Sequence, residues 1–362
     1  MMLTLTRCCV ALTILFELVA GNTTGDDEFI VAGYLPDYRS YMNINRTSLH
    51  LTDVVLFSLT PEAVTRYAES SSAAGCCLSE KHYSLLREAR SYKLEKTKSR
   101  LRLFITIGGG GRSDGFGSIV TGSPSNRHQF LLRLIKICKG NDFDGIDFDF
   151  ENILTFGQWE AYLQFLVQAS TFLHKHNLLV TVALHPGQFL PERVCQSLDR
   201  VHVMAYDMVA QSQNSHAPFQ EVKSVMSSFA SNGCPPSKLI MGLPSYARHE
   251  SNPGWVKTYE EVINEFISSE QEHIPEQRSV KSAINELNFW KGYRFDSAYD
   301  ARVKSEYAKQ KNYGGVFLWE IGQDKQLPGV ADGGILVESL SSVAQSRDLE
   351  KHEREDTNKE EL

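Results

Sequence analysis

The chain has 362 residues and a formal net charge of −7, with 42% hydrophobic and 22% charged residues. This length suffices for one large domain or two small ones, and the composition is ordinary for a globular protein. The acidic balance argues against nucleic acid as a partner, and no stretch beyond residue 21 is long and apolar enough to predict a membrane span.

Residues 1–21 have the pattern of a signal peptide, because Arg7 precedes a short apolar run that ends at Ala20. An uncleaved membrane anchor is the alternative. A signal peptide predicts entry into the secretory pathway and secretion, where Asn22 and Asn45 would be acceptors for N-glycosylation.

The sequence contains 7 cysteines, and two of them fall in the signal segment, which leaves five. An odd number leaves at least one thiol without an intramolecular partner, and the pairing of Cys195, Cys234 and the others is not assigned by the sequence. Cys138 lies on an amphipathic segment and is predicted to be buried as an apolar residue. Cys76 and Cys77 lie in a loop of small residues, where one of them is a candidate for a surface disulfide.

Short apolar strands alternate with amphipathic helices along the rest of the chain. This alternation indicates an α/β fold with a parallel sheet. Eight such units in about 300 residues favour a closed (β/α)8 TIM barrel over a doubly wound open sheet. Strands are predicted at 28–35, 53–59, 101–108, 143–151, 178–184, 200–206, 238–244 and 313–319, and long helices at 79–97, 125–139 and 158–176.

The fourth predicted strand carries a row of acids. Apolar residues alternate there with carboxylates, so Asp147, Asp149 and Glu151 face one side, spaced about 6.5 Å apart along the strand. Burial of like charges raises at least one pKa, and an acid held protonated near neutral pH can act as a general acid. The row therefore predicts an acid–base site. A solvated edge strand and a site for a hard cation are the alternatives.

Residues 144–151 resemble the D-G-x-D-x-D-x-E signature of glycoside hydrolase family 18, the chitinase family. Three further stretches resemble the family in the expected order, and together they indicate one catalytic domain over residues 28–345. They are I-T-I-G-G at 105–109, M-A-Y-D at 204–207 and G-G-V-F-L-W-E at 314–320.

The resemblance implies a glycosidase without a cofactor or metal, which hydrolyses β-1,4-linked N-acetylglucosamine in chitin or chito-oligosaccharides with retention of configuration. Glu151 would protonate the leaving oxygen and later activate water. Asp149 would bind the acetamido N–H of the substrate, with Asp147 behind it and sharing a proton or hydrogen bond. Tyr206 would donate its hydroxyl to the acetamido oxygen, which is the nucleophile in this family.

The resemblance also implies which side chains line the sugar groove. Trp319, at the end of the eighth predicted strand, is expected to form the floor on which the reacting sugar stacks. Asp207 and Met204 are expected on the wall beside it. Tyr34, on the first strand, and Arg248, just beyond the seventh, are further candidates for substrate binding.

Other residues near the motifs are expected to be structural. Asp144 has the opposite parity to the three acids that follow it. Phe57, Phe104 and Ile107 are expected to fill the barrel or pack outside it. The glycines at 108–109 are expected to permit close approach of the backbone near the sugar.

Two segments depart from the barrel pattern. Many members of the family carry a small α+β insertion between strands 7 and 8, but residues 248–295 look shortened, which predicts a short or absent insertion and a shallower groove. Residues 346–362 are charge-dense and are predicted to be a disordered tail. Its last four residues, Lys-Glu-Glu-Leu, resemble a signal for retention in the endoplasmic reticulum, with an unselected acidic end as the alternative.

Two other functions stay open within the same fold. One is an endo-β-N-acetylglucosaminidase acting on N-glycan cores, and the other is a non-catalytic lectin that binds chitin or oligosaccharides. Lectin-like relatives typically lose the acid, whereas Glu151 is present here, which favours the enzyme. The expected partners are N-acetylglucosamine oligosaccharides, and the expected state is a monomer.

Overall fold

The computed structural model describes residues 28–39, 43–67, 79–208, 216–270 and 277–344. The signal segment, Asn22, the cysteines at 76–77 and the charged tail lie outside these ranges. Within them, parallel strands close into a barrel in the order β1-β12-β7-β6-β5-β4-β3-β2. This confirms the predicted (β/α)8 TIM barrel. The barrel strands are β1 Ile30–Pro36, β2 Asp53–Leu59, β3 Arg102–Gly108, β4 Gly145–Asp149, β5 Leu179–Leu184, β6 Arg200–Val203, β7 Leu239–Pro244 and β12 Gly315–Trp319.

Outside the insertion between β7 and β12, helices surround the barrel and pack apolar side chains against it. In the helix that follows the acidic strand, Tyr162, Phe165 and Leu166 are buried, and the Thr155 hydroxyl caps the first turn by accepting from the Gln158 N–H. The helices are α1 Ile44–Ser48, α2 Pro61–Arg66, α3 Glu80–Thr97, α4 Phe116–Thr121, α5 Pro124–Asn141, α6 Phe156–His174, α7 Glu192–Ser197, α8 Phe219–Ser231, α9 Tyr259–Glu270, α10 Gln277–Asn285, α11 Ala298–Gln310 and α12, residues 335–344. The helix–strand pairs α6–β5, α8–β7 and α11–β12 are examples of this packing.

The core has two layers, as the alternation of side chains along each strand requires. The outer layer, between strands and helices, includes Ile107. The inner layer fills the barrel and includes Tyr34, Phe57, Phe104 and Phe317. The inner layer carries the aromatic side chains that reach the open end of the barrel.

A folded insertion lies between β7 and β12. Its strands, β8 Tyr246–His249, β9 Asn252–Thr258, β10 Phe289–Trp290 and β11 Tyr293–Arg294, form an antiparallel sheet in the order β10-β11-β8-β9. The expectation of an absent insertion is therefore wrong, and a folded antiparallel sheet at this place counts against the shallower groove expected with a shortened one. The error has a physical reason, since β10 and β11 are 2 residues each and too short for an alternating pattern.

The described cysteines divide into one bonded pair and one thiol. Cys195 and Cys234 form a disulfide, and Cys138 is free and buried, as expected for an apolar position. Among the described residues, no helix has both the length and the hydropathy to cross a membrane. Within the described part of the chain, no group of three or more His, Cys, Asp and Glu side chains is arranged so that it could hold a metal ion.

Candidate active site

The acidic row lies on β4, an internal strand hydrogen-bonded to β3 and β5. This position rules out the alternative of a solvated edge strand. Asp147 and Asp149 point into the barrel and are 0% and 3% exposed, whereas Glu151 lies two residues beyond the strand and its side chain is 22% exposed. The row therefore extends from the buried interior to the mouth of the barrel, and its three side chains lie on the same face of the strand, as the sequence predicts.

Asp147 is the deepest of the three acids, and its carboxyl group is surrounded by hydroxyls. The Oδ2 atom accepts from the Tyr34 hydroxyl at 2.9 Å and from the Thr106 hydroxyl at 3.1 Å. The Oδ1 atom accepts from the Thr181 hydroxyl at 2.6 Å. These three bonds hold Asp147 in place, and the predicted bond to Asp149 is not among them.

Asp149 has a different environment. Its Oδ1 atom is buried and has no hydrogen-bond partner within the described residues. Burial first, then the charges of Glu151 and Asp147, raises the pKa of Asp149 well above its ordinary value. A buried oxygen without a donor costs free energy, so this carboxyl group is prepared to accept an N–H from a ligand.

The glycines after β3 bring the backbone close to the acids. Gly108 has a φ of 98°, and a Cβ there would lie 2.2 Å from the backbone oxygen of Asp149. The N–H of Gly109 donates to that same oxygen at 2.7 Å. The sequence predicts a close approach of these glycines to the sugar. In the structure, the glycines approach the backbone of β4 at Asp149, within the acidic row.

A cavity of about 250 Å³ opens at the carboxyl ends of the barrel strands. It brings together most of the residues predicted from the sequence and several that were not predicted. Asp147 lies beneath it and Arg248 behind its wall. The lining residues are Tyr34, Tyr38, Phe57, Gly110, Arg112, Asp149, Glu151, Ala183, His185, Met204, Tyr206, Asp207, Phe317 and Trp319.

Aromatic rings form one side of the cavity. The Trp319 ring meets the rings of Phe57 and Tyr34 edge to face, with centroids 4.8 Å and 5.5 Å away. Phe57, expected to be packing only, thus also lines the cavity. The Tyr206 side chain is 8% exposed, and burial raises the pKa of its hydroxyl, which stays protonated and able to donate.

Arg248 acts on the cavity through Asp207. Its Nε and Nη2 atoms donate to the two carboxylate oxygens of Asp207 at 2.6 Å each, and its Nη1 atom donates to the Pro253 carbonyl. Burial alone would raise the pKa of Asp207, but hydrogen bonds from His216 and Arg248 hold it well below its ordinary value. Asp207 therefore stays ionised beside the cavity, in an ion pair with Arg248.

His185 is the main residue that the sequence reasoning missed. It directly follows β5, and its Nε2 atom lies 2.9 Å from Glu151 Oε2. Arg112, which follows the glycines after β3, was missed as well; it pairs with Asp37 at 2.8 Å. The signal that could have found both is their place just beyond strand ends, where barrels of this type build their sites.

Asp144 has the structural position that its parity predicts. Its carboxylate forms ion pairs with Arg90 and Arg100 and accepts from the Leu103 N–H at 2.8 Å. It thus ties the start of β4 to the start of β3, at the end of the barrel opposite the cavity.

The chain is similar to known chitinases in sequence and in fold. Endochitinase from Brugia malayi is 24% identical over 282 residues, covering 64% of this chain and 55% of that protein. Chitotriosidase-1 from Mus musculus is 25% identical over 291 residues, covering 66% of this chain and 62% of that protein. The matched region is thus less than two thirds of either relative.

Solved structures share the fold at lower sequence identity. The class V chitinase from Nicotiana tobaccum has a TM-score of 0.67 at 18% identity, over 88% of this chain and 99% of that chain. A family GH18 chitinase from Cycas revoluta has a TM-score of 0.67 at 20% identity, over 87% and 99%.

The family model described as Glycosyl hydrolases family 18 matches residues 30–324, from the first barrel strand to just past the last. The match includes the whole acidic row and the aromatic residue at the end of β12. This chain therefore belongs to the family 18 glycosyl hydrolases.

Proposed function

We propose that this chain is a glycosidase that hydrolyses β-1,4-linked N-acetylglucosamine in chitin or chito-oligosaccharides, with retention of configuration. One observation carries the proposal. Glu151 stands at the top of a row of acids and opens into the same cavity as Asp149, Tyr206 and Trp319. These are the groups that a reaction assisted by the substrate's own acetamido group requires.

In the first step, Glu151 gives its proton to the glycosidic oxygen as the bond from that oxygen to C1 breaks. The acetamido oxygen of the same sugar forms a bond to C1 and creates a cyclic cation. Asp149, with its unpartnered Oδ1, accepts the acetamido N–H and offsets the positive charge. The Tyr206 hydroxyl donates to the acetamido oxygen and aims it at C1.

In the second step, water attacks C1 from the face that the leaving group vacated. The Glu151 carboxylate takes a proton from this water, the bond from C1 to the acetamido oxygen breaks, and the acid is restored. Two inversions at C1 give net retention. The aromatic face of Trp319 supports the sugar ring throughout, and the hydroxyl bonds to Asp147 keep the base of the row fixed.

The comparisons support the choice of substrate. One solved structure of the Nicotiana tobaccum enzyme is a complex with NAG4, and one of the Cycas revoluta enzyme is a complex with (GlcNAc)3. The proposed partners of this chain are oligosaccharides of the same class.

Release of fluorophore from a chitobioside or chitotrioside tests the proposal directly. We expect turnover by the wild type and a loss of about 10²- to 10⁴-fold for Glu151→Gln, which keeps the shape but cannot donate the proton. Proton NMR of the first product should show the β-anomer. Oligosaccharide binding by the wild type without turnover would support the lectin alternative instead.

Two further measurements separate the remaining alternatives. Cleavage of an N-glycan core glycopeptide faster than chitotriose would favour the endo-β-N-acetylglucosaminidase. Loss of activity on chelation, restored by a divalent cation, would favour the alternative in which the row of carboxylates binds a hard cation.

We also propose that the protein enters the secretory pathway as a glycoprotein, on the strength of residues 1–21 and the two glycosylation sequons. The last four residues would then retain it in the lumen of the endoplasmic reticulum. Deletion of residues 359–362 should move the protein into the medium, and an unchanged distribution would count against retention.

A further inference from the structure

His185 makes a direct contact with the group to which the proposed function assigns proton transfer. Its Nε2 atom lies 2.9 Å from Glu151 Oε2, and both side chains line the cavity. The backbone N–H of His185 donates to Gln188 Oε1 at 2.7 Å. This bond holds the backbone of His185, the first residue of the loop after β5, and so limits the positions that its imidazole can take.

The carboxyl group of Glu151 is confined from the other side by the loop after β3. The nearest atom to a Cβ placed on Gly110 would be Glu151 Oε1, at 3.4 Å, so the carboxyl packs against bare glycine backbone. The N–H of Glu151 donates to the Ser113 hydroxyl at 3.2 Å. His185 and the Gly110 backbone therefore hold the carboxyl group between them.

Two other charged groups around Glu151, Arg112 and Asp207, have partners of their own. From the loop after β3, the Arg112 guanidinium donates to both oxygens of Asp37, at 2.8 Å and 3.0 Å. From the segment after β6, Asp207 is bound by Arg248. Asp149, at the end of β4, and the Tyr206 hydroxyl face the cavity without a bond to Glu151. Within the described ranges, the hydrogen-bond contact of the Glu151 carboxyl group is the one with His185 Nε2.

We propose that His185 is a positioning residue for proton transfer by Glu151. Its Nε2–H donates to Oε2 and keeps the carboxyl in one orientation, while the proton exchanged with the leaving oxygen and then with water is carried on Oε1. The inference rests on the proposed function, in which the same carboxyl acts twice and must not turn away between the steps.

Two variants test the role of the imidazole donor. His185→Ala removes it, and we expect kcat to fall about 10- to 100-fold with little change in KM, since the carboxyl is misplaced but the sugar contacts remain. His185→Gln keeps an N–H donor and should recover most of kcat.

The matched control is His174→Ala. His174 Nε2 lies 2.8 Å from Asp199 Oδ2, a pair of the same chemistry and similar exposure, on α6 and away from the cavity. The His174→Ala variant should keep the kcat and KM of the wild type. A His185→Ala variant that is folded and matches the wild type in kcat, or a His185→Gln variant as impaired as His185→Ala, would overturn the inference.

The orientation of the Glu151 carboxyl group separates this inference from the proposed function. We expect crystal structures of the wild type and of His185→Ala to show this carboxyl group in one orientation with the imidazole and turned from it without the imidazole, whether or not the protein cleaves chito-oligosaccharides. If the wild type is inactive and the carboxyl group turns in the variant, the proposed function fails and the contact stands. If the wild type is active and neither the orientation nor kcat changes, the positioning role fails alone.

Discussion

Tyr34 and His202 form a buried pair beneath the acidic row. The Tyr34 hydroxyl donates to Asp147 Oδ2 at 2.9 Å and lies 2.7 Å from His202 Nδ1. Because the single hydroxyl proton is given to Asp147, His202 must donate its Nδ1–H to the Tyr34 oxygen, which fixes one neutral tautomer. Burial lowers the pKa of His202 to about 4, so the ring stays neutral at ordinary pH.

This buried histidine predicts a pH-dependent term in the stability of the protein. Unfolded, His202 titrates near its ordinary pKa of about 6.5. As pH falls from there to about 4, the unfolded chain binds a proton that the folded state does not, so stability falls, by up to about 3 kcal/mol. His202→Gln should flatten this slope in urea unfolding measured between these pH values. An equally steep slope in that variant, with exposed His128→Gln as the control, would contradict the assignment.

The same residues show what a single sequence can and cannot predict about a site. The parity of Asp147, Asp149 and Glu151 follows from the alternation of one strand and needs no tertiary information. His185 and His202 contact these acids across neighbouring or more distant strands, so their partners depend on register and on closure of the barrel. Nothing local distinguishes His202 from any other polar residue in a strand.

At the scale of elements, β8 connects the insertion to the cavity wall. Arg248 on this strand holds both oxygens of Asp207, and its guanidinium also lies over the Tyr246 ring, 5.4 Å from the centroid. Asp207 itself has a φ of 59°, in the left-handed region. The insertion therefore holds in place a residue that lies beyond the end of barrel strand β6.

Removal of Arg248 should weaken substrate binding. In Arg248→Ala, Asp207 loses the bidentate partner that orders it, and that ordering must then occur when the sugar binds, which costs about 0.5–1.5 kcal/mol. We expect KM for chitotrioside to rise up to about tenfold with a smaller change in kcat. Arg294→Ala, which breaks an ion pair with Glu250 on the same sheet, serves as the control. An unchanged KM in Arg248→Ala would show that the insertion does not order Asp207.

Strand boundaries were predictable where apolar runs are long, and less so where the backbone turns. β2 occupies the predicted residues 53–59. β6 ends at Val203, three residues earlier than predicted, because Ala205 and Tyr206 donate N–H groups to carbonyls two residues back, at 2.8 Å and 2.9 Å. These tight turns redirect Tyr206 into the cavity, and hydrophobic periodicity carries no sign of them.

At the scale of the whole molecule, the two ends of the barrel differ in role. The cavity lies at the carboxyl ends of the strands, and a buried ion cluster lies at the amino ends. There Asp53 at the start of β2 accepts from Arg102 Nε of β3 at 2.6 Å and lies 3.0 Å from Arg200 Nη1 of β6. The cluster links strands on different sides of the barrel, so it stabilises closure and does not touch the site.

Asp53→Asn should therefore lower stability and leave catalysis unchanged. Burial alone would raise the pKa of Asp53, but Arg200 and Arg102 hold it well below its ordinary value. The stabilisation is thus present above pH about 4 and is lost as pH falls below that value. Near neutral pH the variant takes a carboxylate from two guanidinium groups: Arg102 keeps its ion pair with Glu28, but Arg200 keeps none among the described residues. We expect this loss to cost about 3–5 kcal/mol in urea unfolding. Exposed Glu160→Gln should show no such loss.

Because the cluster and the cavity are at opposite ends of the barrel, kcat and KM of the folded Asp53→Asn protein should match those of the wild type. A change in either would mean that closure of the barrel at its base also sets the geometry of the acids at its mouth.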